Sequence, residues 1–347
     1  MIKTIIVDDS AMVREVIKDF LNEDGNFNII GEAENGEEGA EKILSLNPDL
    51  VTSDIEMPKM NGLEMITKVM SVHPVPIVVI TSHDTAKTAY QAAVNGALEF
   101  YSKDLFLKDI SEEKKRNIYD TLKRISGVKS ANKTEFAANA APAQVSSANN
   151  VIIGSQKIDM VVLASSTGGP KALSTFFSIM PADFPLPIAI VQHNSSGFDE
   201  DFAQWLNTFA KLNVKLAEEG EKPAAGNVYI AKTDKHLELR SSAGEDGYVF
   251  RYNDNEPEQN QKPAADVLFR SAAETCGNSL LSVVLTGMGA DGADGTLNVK
   301  KLGGITIAQD ENTSLIYGMP KAAFETGCVD IVLPLEQIPD ELVRLAT

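Results

Sequence analysis

Apolar and polar residues alternate in blocks along the chain. Ile2–Val7, Phe27–Gly31, Leu50–Ser53, Ile77–Ile80 and Ala97–Tyr101 are short apolar runs, the pattern of strands buried on both faces of a parallel sheet. After the first run, Met12, Val13, Val16, Ile17, Phe20 and Leu21 recur at helical spacing, and 36–46, 62–72, 84–95 and 106–125 also suit helices. This alternation predicts a doubly wound (βα)5 domain over 1–125, with ligands beyond the carboxyl ends of its strands.

The alternation resumes over 151–347 with different punctuation. Met160–Ala164, Ile188–Gln192, Asn227–Ala231, Leu281–Leu285 and Ile305–Ala308 read as strands; 169–180, 198–211, 264–276, 292–302 and 318–326 read as helices. His236–Arg240 and Tyr248–Tyr252, separated by Gly244 and Gly247, suit a hairpin. A second, mainly parallel α/β domain is expected. Between the two, seven Ala, four Ser and four Asn occupy fifteen of the 25 residues from Ser126 to Asn150. Such a stretch has little to bury against its ordering entropy and reads as a flexible linker.

The 347 residues suit two domains better than one. Their 31 basic and 49 acidic residues leave a net charge of −18. Counted separately, 1–150 holds 16 basic and 23 acidic residues and 151–347 holds 15 and 26, so the halves carry −7 and −11. Neither hides a basic module, which argues against a nucleic-acid partner and a transcriptional output. Cys276 and Cys328 make neither a disulfide framework nor a zinc site, and read as reduced structural residues. Asp8 and Asp9 stand where a signal peptide would still be apolar, and no apolar run reaches membrane-spanning length. A cytoplasmic chain with no membrane insertion is expected.

Asp8 and Asp9 end the first strand and Asp54 the third. Carboxylates converging at one sheet edge repel, and a hard divalent ion such as Mg²⁺ relieves that. Thr81 and Lys103, after the fourth and fifth strands, could hold the oxygens of a phosphoryl group formed on Asp54. These residues and the run Asp54-Ile55-Glu56-Met57-Pro58-Lys59-Met60-Asn61-Gly62 resemble a response-regulator receiver domain. The resemblance implies that Asp54 is the phosphoacceptor and that the Glu56 carbonyl joins Asp8, Asp9 and Asp54 around Mg²⁺. It also implies that Thr81, Lys103 and Phe100 form the phosphate switch. Where the family usually has Pro after the lysine, this chain has Asp104, which puts the geometry of that loop in question.

In the second half, Ser165-Ser166-Thr167-Gly168-Gly169-Pro170 follows a strand and opens a helix. A serine on such a turn is exposed on a rigid support, although the run alone also suits a phosphate-binding loop or an N-cap. Of the four histidines, His73 and His83 read as surface residues and His236 as structural, whereas His193 directly follows a strand. The turn Thr286-Gly287-Met288-Gly289-Ala290-Asp291-Gly292 brings Asp291 to the same edge, where it could equally be the N-cap of the next helix. Jointly they suit nucleophilic ester hydrolysis: Ser166 as nucleophile, His193 as base and Asp291 as its orienter, with backbone amides near Thr167 and Met288 facing the oxyanion. No cofactor is expected for that reaction. The order Ser…His…Asp and the absence of Gly-x-Ser-x-Gly exclude the α/β-hydrolase pattern.

These motifs, with Gln192-His193, Ala308-Gln309-Asp310-Glu311 and Tyr317-Gly318-Met319-Pro320, resemble the catalytic domain of chemotaxis protein-glutamate methylesterases. The resemblance implies hydrolysis of glutamate methyl esters on chemoreceptor cytoplasmic domains, releasing methanol, and deamidation of receptor glutamines. It implies activation by phosphoryl transfer from the chemotaxis histidine kinase to Asp54, which relieves occlusion of the active site by the receiver. The chain departs from the family's usual residues at Ala164-Ser165 (Gly-Ala), Asn194 (Met) and Lys232-Thr233 (Pro-Gly). Two alternatives stay open: a phosphorylation-controlled binding module with a non-catalytic esterase-like domain, and a paralogue acting on a non-chemotactic receptor.

Overall fold

Strand β1 (Ile2–Val7) lies inside a five-stranded parallel sheet, with a neighbour on each side, and the reason is its composition: Ile5, Ile6 and Val7 are all buried, so both faces of the strand need cover. A computed structural model describes residues 1–82, 86–108, 110–127, 156–242 and 247–346. The chain divides into two units, Met1–Val145 and Ser146–Thr347. In the first, β2 (Phe27–Ala33), β3 (Leu50–Ser53), β4 (Ile77–Thr81) and β5 (Glu99–Ser102) complete the order β2-β1-β3-β4-β5. Alternate residues feed opposite faces, with Ile5, Val51 and Val79 in one core and Ile6, Leu50 and Val78 in the other.

The helices of this unit are Ala11–Asp24, Gly36–Leu46, Gly62–Val72, Ala86–Asn95, Asp104–Leu107 and Glu112–Ser126. Met12 shares the helical spacing of its neighbours yet points to solvent at 66% exposure; Val13, Ile17, Phe20 and Leu21 carry the core face. The helix expected over 106–125 is two helices instead. Lys108 is extended after the first, and the Ser111 side chain accepts the Lys114 amide to start the second. The helix Glu112–Ser126 takes in the first residue of the expected linker; all of that linker beyond Gly127 lies outside the described residues, as does His83.

The second unit is built on a seven-stranded sheet of order β14-β13-β12-β6-β7-β9-β8, in which all neighbouring strands run parallel. β6 (Met160–Ser165), β7 (Ile188–Gln192), β9 (Asn227–Ile230), β12 (Leu280–Val284) and β13 (Ile305–Gln309) match the expected strands. The edge strands β8 (Asn213–Leu216) and β14 (Ile331–Leu333) are additions, as is a last helix, Ile338–Ala346. β10 (His236–Ser241) and β11 (Tyr248–Asn253) form the expected antiparallel hairpin, set apart from the main sheet.

Successive strands are laid out to opposite sides from a point between β1 and β3 in the first sheet, and from a point between β12 and β6 in the second. Strand ends at such a point open a crevice for ligands. Asp8 and Asp54 follow the first pair; Asp291 and Ser166 follow the second. Among the described residues no helix is long and apolar enough to cross a membrane.

Candidate active and phosphorylation sites

In the first unit, oxygens of Asp8, Asp9 and Asp54 all lie within 4.8 Å of one another. Asp8 and Asp54 are buried, Asp9 exposed. The Lys103 ammonium bridges the buried pair, 2.8 Å from Asp8 Oδ2 and 2.7 Å from Asp54 Oδ2. Thr81 Oγ1 donates to Asp54 Oδ1 at 2.9 Å, as does the Ile55 amide at 2.7 Å. Glu56 shares one cavity with Asp9, Met57, Asn61 and Thr88. Phe100 is turned inward, its ring 5.6 Å from that of Tyr90.

Burial pushes the Asp8 carboxyl above its ordinary pKa and the Asp54 charge adds to this, against the opposing pull of Lys103. Burial works against the Lys103 charge, but Asp54 and Asp8 outweigh it and raise the ammonium above its ordinary value. Three carboxylates gathered this closely, two of them buried, are a fit for a small hard cation. Asp104, where a proline is usual, begins the short helix Asp104–Leu107, and its amide donates to Ser102 Oγ at 3.3 Å, a bond that proline could not make. Lys103 reaches both carboxylates from this loop all the same.

In the second unit, three neighbouring strands deliver the expected residues. Ser166 follows β6, His193 follows β7, and Asp291 lies in the turn after β12. His193 Nε2 stands 2.8 Å from Asp291 Oδ2, with the two side chains 8% and 2% exposed. The other ring nitrogen, Nδ1, is buried and has no hydrogen-bond partner among the described residues, Ser166 Oγ included. The structure thus joins base and acid while leaving the serine unjoined, a looseness common in ligand-free sites. Gly287 lies against the serine: a Cβ there would come within 2.9 Å of Ser166 Cβ and 2.2 Å of Met319 Sδ. Met288 follows in the same turn, and Thr167 is buried with its carbonyl accepting Thr286 Oγ1 at 3.1 Å.

Asp291 is a cap, but of a different helix from the one it precedes. Its carboxylate accepts the amides of Ala265 (2.6 Å) and Asp266 (2.9 Å), the first two residues of the helix Ala265–Cys276. Burial alone would raise its pKa; the hydrogen bond and charge of His193 and those two amides hold it below the ordinary carboxylate value. His236 proves structural, fully buried, with Nδ1 accepting the Ala264 amide and Nε2 beside the Glu256 carbonyl. His73 is exposed at the end of the helix Gly62–Val72.

Three buried polar residues were given no role by the sequence, although Gln192 and Gln309 stand in its motifs. The Gln192 amide nitrogen donates to the carbonyls of Ser166 (3.1 Å) and His193 (2.9 Å), and its oxygen accepts Ser165 Oγ (2.7 Å). Gly169 leaves the room for this, since a Cβ there would stand 1.9 Å from Gln192 Oε1. Gln309 Oε1 accepts the Thr286 amide at 2.7 Å, and the Thr286 carbonyl accepts the Ser166 amide at 3.0 Å. Asp266 accepts the amides of Gly292 and Gly295. The one available signal was chemical: a carboxylate inside the apolar run Ala264–Phe269 and two glutamines ending apolar strands, all needing buried partners.

Residues 4–114 match the response regulator receiver domain family model, and residues 161–342 match the model described as CheB methylesterase. The protein-glutamate methylesterase/protein-glutamine glutaminase of Pyrococcus horikoshii is 38% identical over 99% of this chain and 93% of its own length. The Clostridium acetobutylicum protein of the same name is 38% identical over 99% of this chain and 97% of its own. The chain belongs to the CheB methylesterase family. The crystal structure of the Thermotoga maritima CheB methylesterase catalytic domain covers 55% of the chain and all of that domain, at 40% identity and a TM-score of 0.53.

Set within the CheB methylesterase family, the departures other than Asn194 have visible partners; Asn194 Nδ2 is buried with no hydrogen-bond partner among the described residues. Ala164 is fully buried and packs with Ala265 and Val284 beneath the Asp291 turn. Ser165 supplies the hydroxyl held by Gln192. Thr233 donates both its amide and its hydroxyl to Asp199 Oδ2, each at 2.8 Å, which ties the loop after β9 to the helix Asp199–Asn207. Lys232 sets its ammonium 5.8 Å from the Tyr252 ring centroid.

Proposed function

We propose that the chain hydrolyses glutamate methyl esters on the cytoplasmic domains of chemoreceptors, releasing methanol, and deamidates receptor glutamines. Control comes through phosphorylation of Asp54 by the chemotaxis histidine kinase. The observation that carries the chemistry is the buried His193–Asp291 pair beside Ser166, in a chain of this family. The His193 ring turns Nε2 to Asp291, so Nδ1 is the nitrogen left to take the Ser166 proton. Ser166 Oγ attacks the ester carbon, Nδ1 takes the hydroxyl proton, and the carbonyl oxygen gains negative charge opposite amides near Met288 and Thr167. Collapse expels methanol, which takes the proton from Nδ1–H. Water then attacks the acyl-serine through the same base, releasing the glutamate carboxylate and restoring Ser166. Asp291, kept ionised, stabilises the imidazolium in both steps.

In the receiver, Asp8, Asp9, Asp54 and the Glu56 carbonyl would hold Mg²⁺, which neutralises charge on a phosphoryl group being transferred. Lys103 and Thr81 bind the oxygens of phospho-Asp54, and Phe100 responds to the position of Thr81. We assign the receiver to 1–125, a tether to 126–150 and the catalytic domain to 151–347, acting in the cytoplasm without nucleic acid.

The test is methanol release from methylated receptors with and without a small phosphodonor and Mg²⁺. The rate is expected to rise with the phosphodonor, to lose that rise in Asp54→Asn, and to vanish in Ser166→Ala. Turnover by folded Ser166→Ala would refute the nucleophile, and a phosphodonor-independent rate would refute the gating.

A further inference from the structure

The helices Ala265–Cys276 and Ala293–Lys301 begin beside each other, and neither has a capping side chain of its own. Each borrows one. Asp291, just before the second helix, accepts the first two amides of the first helix. Asp266, in the first turn of the first helix, accepts through Oδ1 the amides of Gly292 (2.9 Å) and Gly295 (2.6 Å) at the start of the second. Its other oxygen accepts Gln259 Nε2 at 2.6 Å. Both carboxylates are 2% exposed.

We infer that Asp266 is a positioning residue of the esterase site: the two aspartates exchange caps, and this exchange holds the Asp291 carboxylate against His193. The inference rests on the hydrolytic reading above. Gly292 is the residue after Asp291, so the Asp266 bond to its amide fixes the peptide that carries the orienting carboxylate. Losing it frees the turn to rotate Asp291 away from Nε2 without touching the ester or the serine.

The charges around Asp266 give this a signature in pH. Facing it are Asp291 from the turn, Asp294 from the second helix and Arg270 from its own helix, with His193 beyond Asp291. Burial, and then the Asp291 charge, push the Asp266 carboxyl above its ordinary value. Its negative charge, once formed, adds to that of Asp291 in favouring the imidazolium.

The experiment uses the full chain with phosphodonor and Mg²⁺, following methanol release from methylated receptors and fluorophosphonate labelling of the serine between about pH 5 and 9. Asp266→Ala removes the oxygen that caps Gly292 and Gly295; it is expected to leave KM within about twofold and to lower kcat and the labelling rate about tenfold. Asp266→Asn keeps that oxygen and loses only the charge, so it is expected to recover most of the kcat and to move the acid limb of both profiles to lower pH. Gln259→Met removes the donor that holds Asp266 through Oδ2 and is expected to lower kcat by less, with KM unchanged; it carries the test if Asp266→Ala fails to fold. Folded Asp266→Ala or Gln259→Met with wild-type kcat and labelling, beside an inactive and unlabelled Ser166→Ala, would overturn the inference alone. Turnover retained by Ser166→Ala would overturn the hydrolytic reading and this inference with it.

Discussion

Replacing Gln192 by Leu tests whether one buried amide ties nucleophile and base together. The side chain is 2% exposed and makes three hydrogen bonds. The Ser166 carbonyl keeps a donor in the variant, because the Gly169 amide also reaches it at 2.7 Å. The fully buried Ser165 hydroxyl loses its acceptor, and the half-buried His193 carbonyl loses a donor. An unsatisfied buried group costs about 1–3 kcal/mol and a lost ordinary bond about 0.5–1.5, so the variant is expected to lose about 2–4 kcal/mol. For a unit of this size that lowers the midpoint of thermal unfolding by at least about 4 °C.

The decisive measurement is a double-mutant cycle with Ser165→Ala, read by thermal unfolding and by methanol release. Removing the Ser165 hydroxyl abolishes the group that the leucine strands. The double variant should therefore be more stable than the sum of the singles by about 1 kcal/mol or more. Additivity within about 0.3 kcal/mol would show that the bond contributes nothing, and the clamp would have to be abandoned. A kcat that falls in Gln192→Leu with KM unchanged would tie the clamp to chemistry and not to binding.

Two further outcomes follow from the same site. Gly287→Ala would set a methyl 2.2 Å from buried Met319 Sδ and 2.9 Å from Ser166 Cβ, so one of them must move; a loss of about 1–3 kcal/mol in unfolding and at least about tenfold in methanol release is expected. Asp266, raised from 3.8 to about 7, contributes stability that is complete below about pH 4 and lost as pH climbs through about 7. Asp266→Asn has no such charge to bury, so its stability relative to the unsubstituted chain should improve steadily over that interval in denaturant titrations; a constant difference would contradict the assignment.

What could be read without the structure was whatever announces itself in a single stretch of chain. Runs such as Ile188–Gln192 and Leu50–Ser53 are apolar up to a polar end because both faces are covered, and their limits agree with the folded strands. The edge strand β8 is half polar because its outer side needs no cover, and β14 has only three residues; neither leaves a periodic trace. Met12 and Val13 are alike in hydropathy, and only the orientation of the helix decides which is buried. At the site, Ser166, His193 and Asp291 were legible because each directly follows a strand or sits in a Gly-rich turn. The contacts of Gln192, Gln309 and Asp266 were not, since their work is done through backbone groups distant in sequence, and an amide that caps a remote carbonyl carries no local mark.

The strand ladder does not stop where the strands do. Amide–carbonyl pairs continue past it from Leu285 to Ala164, from Ser166 to Thr286 and from His193 to Ser165. The reacting residues are thereby stitched into the sheet's most protected stratum, the last to open when the unit breathes. Heating should therefore end methanol release and unfold the second unit in a single transition, with no stage at which the fold persists around a displaced serine.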